Sequence, residues 1–316
     1  TPLLDILLYD GFDQHAGDSE AYAAALEAAV EDEVPDQHLV QFAKVGAHTL
    51  GEHLGDWPRA LRLSDRLLAG RAPTAETWKA WAHLHVARLL AGDVAAAAEA
   101  EVAAYLGAGA DFRAATVEIK FLLVAALVGA GRSAEAAAIY QGALDLARAL
   151  GDAAPARAIA VASNNLATEL LEAASRTDAE AALMRTAAAA AHEFWLEAGN
   201  WLNDARADYL EALVANVLNE PAAALTHIDR ALGLIAGNGG AAIDETFLHL
   251  ARAHALRLTG DEDAAIAELA LSDDDAYGWE DDGLLSWYAA ERARMMPDAA
   301  PMDAEASEGS DDDSFG

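Results

Sequence analysis

Ten histidines and 53 carboxylates are the side chains of this 316-residue chain most able to do chemistry. Imidazole and carboxylate groups bind divalent metals or move protons. A single helix presents a chelating pair when two ligands stand three or four residues apart. His48 and His53 are five apart, as are His249 and His254, which is about 140° around a helix of 3.6 residues per turn. His83 and His85 are about 200° apart. None of these spacings makes an intrahelical pair, so the histidines read as structural. Asp273, Asp274 and Asp275 before Gly278 resemble half of a calcium loop, but Tyr277 and Leu284 stand where ligands are required. That run reads as an acidic solvated loop. Gly129-Ala-Gly131-Arg-Ser-Ala134 fits a loose dinucleotide fingerprint, which needs a strand before it, and here the preceding pattern is helical. Neither G-x-x-x-x-G-K-[ST] nor G-x-S-x-G occurs, and the absence of Cys excludes disulfides, thiolate catalysis and Cys-ligated zinc. The expectation is no catalytic residue, no metal, no cofactor and no enzymatic activity.

Composition narrows the partners. The net charge is −33, with 53 acidic against 20 basic residues. Such a surface repels phosphates and anionic lipid, so neither nucleic acid nor a membrane is expected to bind, whereas a basic protein segment is favoured. TPLLDILLYD at the start has no basic n-region, so no signal peptide is visible and a cytoplasmic location is expected. The longest apolar run, FLLVAALVGA from Phe121 to Ala130, is too short to span a bilayer.

The elements that carry these residues are helices. Hydrophobic residues make up 54% of the chain, much of it Ala, the best helix former, and Pro is scarce. One pattern recurs: a Gly-Asp-like turn, then an Ala-rich amphipathic helix. Its clearest copy is GRSAEAAAIYQGALDL from Gly131, with a turn at Gly131-Arg132 and an N-cap at Ser133. Other copies start at Gly55, Gly92, Asn219 and Gly260, with a fainter one near Ser175, so the steps run from 37 to 44 residues. A helix precedes each turn, which gives six hairpins. Residues 1–36 lack the signature and read as an N-terminal capping segment. Residues 37–271 form the repeat array. Residues 272–296 hold a linker and a C-terminal capping helix, from about Trp279 to Met296, whose aromatics cover the last repeat. Residues 297–316, with 7 acidic and no basic residues, read as a disordered acidic tail.

The second helix of each hairpin places small and large residues at fixed steps: Ala136, Tyr140 and Ala143; Ala224, Ile228 and Ala231; more loosely Ala60, Ser64 and Leu67, and Ala97, Glu101 and Ala104. Trp81 and Leu84, and the run Asn165-Leu166-Ala167, match first-helix positions. In these features, residues 37–271 resemble the tetratricopeptide repeat family, in a longer-helix variety. His48 and His85 depart from it, standing where a small residue is usual. The resemblance implies an all-α, right-handed superhelical solenoid of antiparallel helix hairpins, about six repeats with terminal caps. It also implies a concave groove, lined by first helices, that holds a peptide of another protein.

By register from each turn, the groove residues are Phe42, Val45, Lys79, Phe121, Asn164, Arg206, Tyr209, Asn216, Phe247, His254 and Arg257. The family's carboxylate clamp needs several clustered cations, and Lys79, Arg206 and Arg257 are too far apart in sequence for it. The expected function is a non-enzymatic protein-interaction scaffold or adaptor for a basic peptide segment. The alternatives are a regulatory sensor of a small ligand or signalling peptide, and an accessory or chaperone subunit of a larger enzyme complex.

Overall fold

A computed structural model describes residues 2–10, 17–31 and 33–299, and most of the acidic tail expected from 297 onward therefore lies outside the described residues. Among the described residues the regular elements are helices, with no strand. They are α1 (Pro2–Asp5), continued as a π turn (Ile6–Asp10), and α2 (Ser19–Ala29). Then follow α3 (Asp36–Gly46), continued as a π-helix (Ala47–His53), α4 (Trp57–Leu68), α5 (Trp78–Leu90), α6 (Val94–Ala108), α7 (Phe112–Gly129) and α8 (Ser133–Leu150). The rest are α9 (Ala156–Glu172), α10 (Asp178–Ala198), α11 (Trp201–Val217), α12 (Pro221–Gly237), α13 (Ala242–Thr259), α14 (Glu262–Tyr277) and α15 (Asp282–Met295). No described helix is long and apolar enough to cross a membrane.

The recurrent turn has a physical basis. Five of the six copies place one residue in the left-handed region, where a Cβ costs about 1–2 kcal/mol and only Gly or Asn is at ease. Gly92 takes φ 90° and Asn219 takes φ 58°; Gly55, Gly131 and Gly260 do the same at the other copies. The chain then closes with a bond back to the preceding helix, as in Asp93 N to Arg88 O at 2.9 Å and Glu220 N to Ala215 O at 2.8 Å. Asp56, Asp93 and Asp261 each accept from the backbone N–H three residues on, which caps the second helix. Two copies differ. The N-cap of α8 is Arg132, and Ser133 is the first helical residue, its hydroxyl donating instead to Glu180 at 2.8 Å. The faint copy has no left-handed residue: Arg176 donates to the Leu170, Leu171 and Ala173 carbonyls that end α9.

The chain divides into two compact units, residues 1–162 with 177–183, and residues 163–176 with 184–316. In the first, α5 packs on α6 and α7 on α8, while α3 with its π extension packs on α4. Turns of two or three residues join the first two pairs, so those helices run antiparallel. Phe42, Leu50, Trp57, Ile119 and Tyr140 form its core, with Phe121 edge-on to Tyr140 at 5.2 Å. Leu8 and Leu26 are buried, the Tyr22 hydroxyl donates to Leu7 O at 2.7 Å, and Arg59 reaches from α4 to Glu20 and Glu27 of α2.

In the second unit α11 pairs with α12 and α13 with α14, and α15 packs on both members of the last pair. Trp287 lies 4.4 Å and Tyr288 5.8 Å from the Phe247 ring. The loop expected at Asp273–Asp275 is helical, because α14 runs on to Tyr277. Tertiary contacts sustain those turns: Ser272 and Ala276 are buried, and Arg292 forks onto both Asp273 oxygens at 2.7 and 2.8 Å. In both units the small–large–small positions of the second helices are core positions, with Ala136, Tyr140, Ala143, Ala224, Ile228 and Ala231 all at 0% exposure.

Candidate functional site

The eleven residues assigned to a groove fall into three groups. Phe42, Val45, Phe121, Asn216 and Phe247 are buried. Their helices place them on the face that packs against the next element, so they build core and offer no surface. Asn216 donates to Ala251 O at 2.9 Å, which ties α11 to α13. The cations are engaged nearby: Lys79 pairs with Glu118, Arg206 forks onto Asp244 at 2.6 and 3.1 Å, and Arg257 donates to Met295 O at 3.2 Å. Tyr209, Asn164 and His254 are half-buried. Burial, and secondarily Arg257 and Arg294, push His254 down to about 4. The ring of Tyr209 meets Phe247 at 6.4 Å, edge to face.

Helix α6 carries an apolar row that the groove assignment missed. Val94, Val102 and Leu106 are 65%, 56% and 76% exposed, with exposed Ala98 between them, so the row advances four residues at a time. Steps of four keep side chains on neighbouring turns of one face. The helix contains Glu99 and Glu101, no Lys and no Arg. The sequence signal was present in the Val-Leu spacing, but an Ala-rich helix hides which of its faces is inward.

The histidines also depart from expectation. His48 and His53 do meet, with Nε2 atoms 3.0 Å apart and rings edge-to-face at 4.5 Å. The π-helix is the reason: its wider turn brings residues five apart alongside one another. Gly51 lets the Trp57 ring pack against this helix, since a Cβ there would stand 2.4 Å from it.

The densest polar constellation lies in the second unit, on three consecutive helices. Helix α11 presents Asp204, Asp208 and Glu211 at steps of four and three, one face of the helix. Helix α10 brings His192 to it, and α12 brings His227 and Arg230. Asp208 is 0% exposed and His192 7%. His192 Nδ1 is 2.5 Å from Glu211 Oε2 and 3.8 Å from Asp208 Oδ1, and its Nε2 is 2.8 Å from Asp204 Oδ1. His227 Nδ1 is 3.0 Å from Asp208 Oδ1 and 3.4 Å from Glu211 Oε2. Arg230 reaches Asp204 Oδ1 at 3.0 Å and places Nε 3.3 Å from Asp208 Oδ2, which accepts no hydrogen bond despite its burial. The bond to Glu211 first, then that to Asp204 and the Asp208 charge, hold the His192 pKa above its ordinary value against the opposing pull of burial. Sequence spacing could not reveal this set, because its members come from three helices. Only the acidic row on α11, set among Ala207, Leu210 and Leu213, marks it.

No family model matches the chain and no curated protein is similar to it.

Proposed function

We propose that the chain is a non-enzymatic protein-interaction scaffold built from tetratricopeptide-like repeats of the solenoid class, and that it takes a basic amphipathic helix on α6. The repeated left-handed turn and the buried small–large–small positions support the repeat assignment. The observation that carries the binding assignment is the exposed row Val94, Val102 and Leu106 on a helix whose only charges are negative. An apolar helix face docks another along such a row, and flanking carboxylates select a partner with Lys or Arg beside its own apolar stripe. The chain's net charge of −33 acts in the same direction at long range.

Affinity capture with the full chain, compared with a Val102→Glu, Leu106→Glu double variant, tests this. Both positions are exposed, and surface changes of this kind alter stability by about 0.5 kcal/mol or less. A basic protein retained by the wild type and lost by the variant is the expected result, with retention that falls as salt rises. A partner held equally by both refutes the α6 assignment.

A further inference from the structure

We propose that His192, His227, Asp208 and Glu211 form a binding site for a divalent cation of the zinc type. The site lies in the second unit and is independent of the α6 surface. The ligand atoms of His192, Asp208 and Glu211 lie within 4.8 Å of one another. With His227 Nδ1 they make four contacts of 2.5, 3.0, 3.4 and 3.8 Å. A zinc tetrahedron with bonds of about 2.0–2.1 Å has edges of about 3.3–3.4 Å. The 2.5 Å contact is shorter and the 3.8 Å contact longer than that edge, and movements of under about 1 Å bring both to it.

The surrounding groups fit the same assignment. A metal-bound imidazole characteristically donates its other ring N–H to a carboxylate, which fixes tautomer and orientation. His192 does this: with Nδ1 facing the centre, Nε2 faces Asp204 Oδ1 at 2.8 Å. Arg230 in turn holds Asp204 at 3.0 Å and stands at Asp208 Oδ2. Its Nη1 comes no nearer than 3.4 Å to Oδ1, the atom that faces the centre. Asp208 is fully buried, and its Oδ2 accepts no hydrogen bond, so one carboxylate oxygen is left unsatisfied where desolvation is costly. With neutral imidazoles, three carboxylates against one guanidinium leave two negative charges, which one divalent cation cancels. Two nitrogens and two oxygens suit zinc. Calcium and magnesium prefer six or more oxygens, or shells rich in water. The ion would clasp α10, α11 and α12 together.

The test uses the full chain, stripped with chelator and titrated with zinc chloride by calorimetry, with histidine imidazole resonances followed by NMR. The expected result is one zinc bound by this site, with the His192 and His227 resonances moving together. Asp204→Asn, which removes no ligand, should keep the stoichiometry and weaken affinity 10- to 100-fold. A His192→Gln, His227→Gln variant should lose that zinc. The proposal is overturned if saturating zinc leaves the His192 and His227 resonances of the wild type in place. Zinc held only at His48 and His53, an ion-pair network that ignores metal, and undiminished affinity in Asp204→Asn each refute it too. The wild-type resonances decide the matter even if the double variant fails to fold.

Discussion

His83 and His192 are buried to the same degree, at 9% and 7% exposure, yet their surroundings shift their pKa values in opposite directions. His83 sits on α5 in the first unit. Burial pushes it down to about 4; the Glu52 charge opposes this weakly, and Lys44 and Lys79 assist it. His192 sits on α10 among Glu211, Asp204 and Asp208, and its bonds to carboxylates hold the pKa above the ordinary value although burial pulls it down. The two differ in what the neighbouring helices deliver. At His83 no neighbouring carboxylate outweighs burial, and the neutral ring is one more packing group. At His192 three helices converge, α11 with three carboxylates and α12 with His227 and Arg230, and the carboxylates favour the protonated ring. A buried histidine is therefore a filler or the seed of a site according to its partners, and burial by itself does not distinguish them.

The sharpest break of this contrast is Asp208→Asn. The substitution keeps the shape but removes a carboxylate with no exposed surface that His227 and Arg230 both approach. The nearest partners of that carboxylate, Arg230 and His227, are partly exposed, so the loss is about 1.5–3 kcal/mol. Urea unfolding in chelator, followed by tryptophan fluorescence, should show a loss of that size. Asp145→Asn, at an exposed ion pair of 3.8 Å, should show almost none. A loss below about 1 kcal/mol at Asp208 would mean that its charge does not hold these helices together.

The second test is acid. His83 has a folded pKa lowered from 6.5 to about 4, so the unfolded chain takes up a proton first as pH falls. The stability that His83 contributes is fully present above pH 6.5 and drains away between 6.5 and about 4. The gap corresponds to at most about 3 kcal/mol. His254, also lowered to about 4, adds a loss of the same sign. His83→Leu should flatten the His83 part of this decline, seen as a smaller difference between urea midpoints at pH 7.5 and 4.5. An unchanged decline would place the acid sensitivity elsewhere.

Much of the fold was legible because its signals are local. Gly or Asn at the turn, Asp at the cap and the small–large–small steps each act within a few residues, and α4, α6, α12 and α14 each begin just past the turn that the sequence marks. What escaped reading depends on distant contacts. The π-helix exists beside Trp57, which crosses over Gly51, and it moved His48 against His53. The last turns of α14 are acidic and look like a loop until Arg292 and Tyr288 arrive from α15. The groove residues were placed by register from each turn, and register cannot tell a face that meets the next helix pair from one that meets water. Phe42 and Phe247 went inward for that reason. The constellation at His192 was invisible for a related one: on α11 its carboxylates look like an ordinary solvated stripe, and only the neighbouring helices turn that stripe inward.

The gentlest test asks whether burial, and not the nearby lysines, sets His83. Glu52 raises its pKa, whereas Lys44 and Lys79 lower it, and all three effects rank below burial. Lys79 is itself paired with Glu118, which offsets its charge. Lys79→Gln should therefore raise the His83 titration point by only a few tenths of a pH unit, and Glu52→Gln should lower it by a similar amount, each about half a kcal/mol or less. Histidine NMR across pH 3 to 7 resolves both shifts, and added salt should shrink them. A jump of one unit or more with Lys79→Gln would make His83 a charge-governed group like His192, and the contrast between the two histidines would then be one of sign alone.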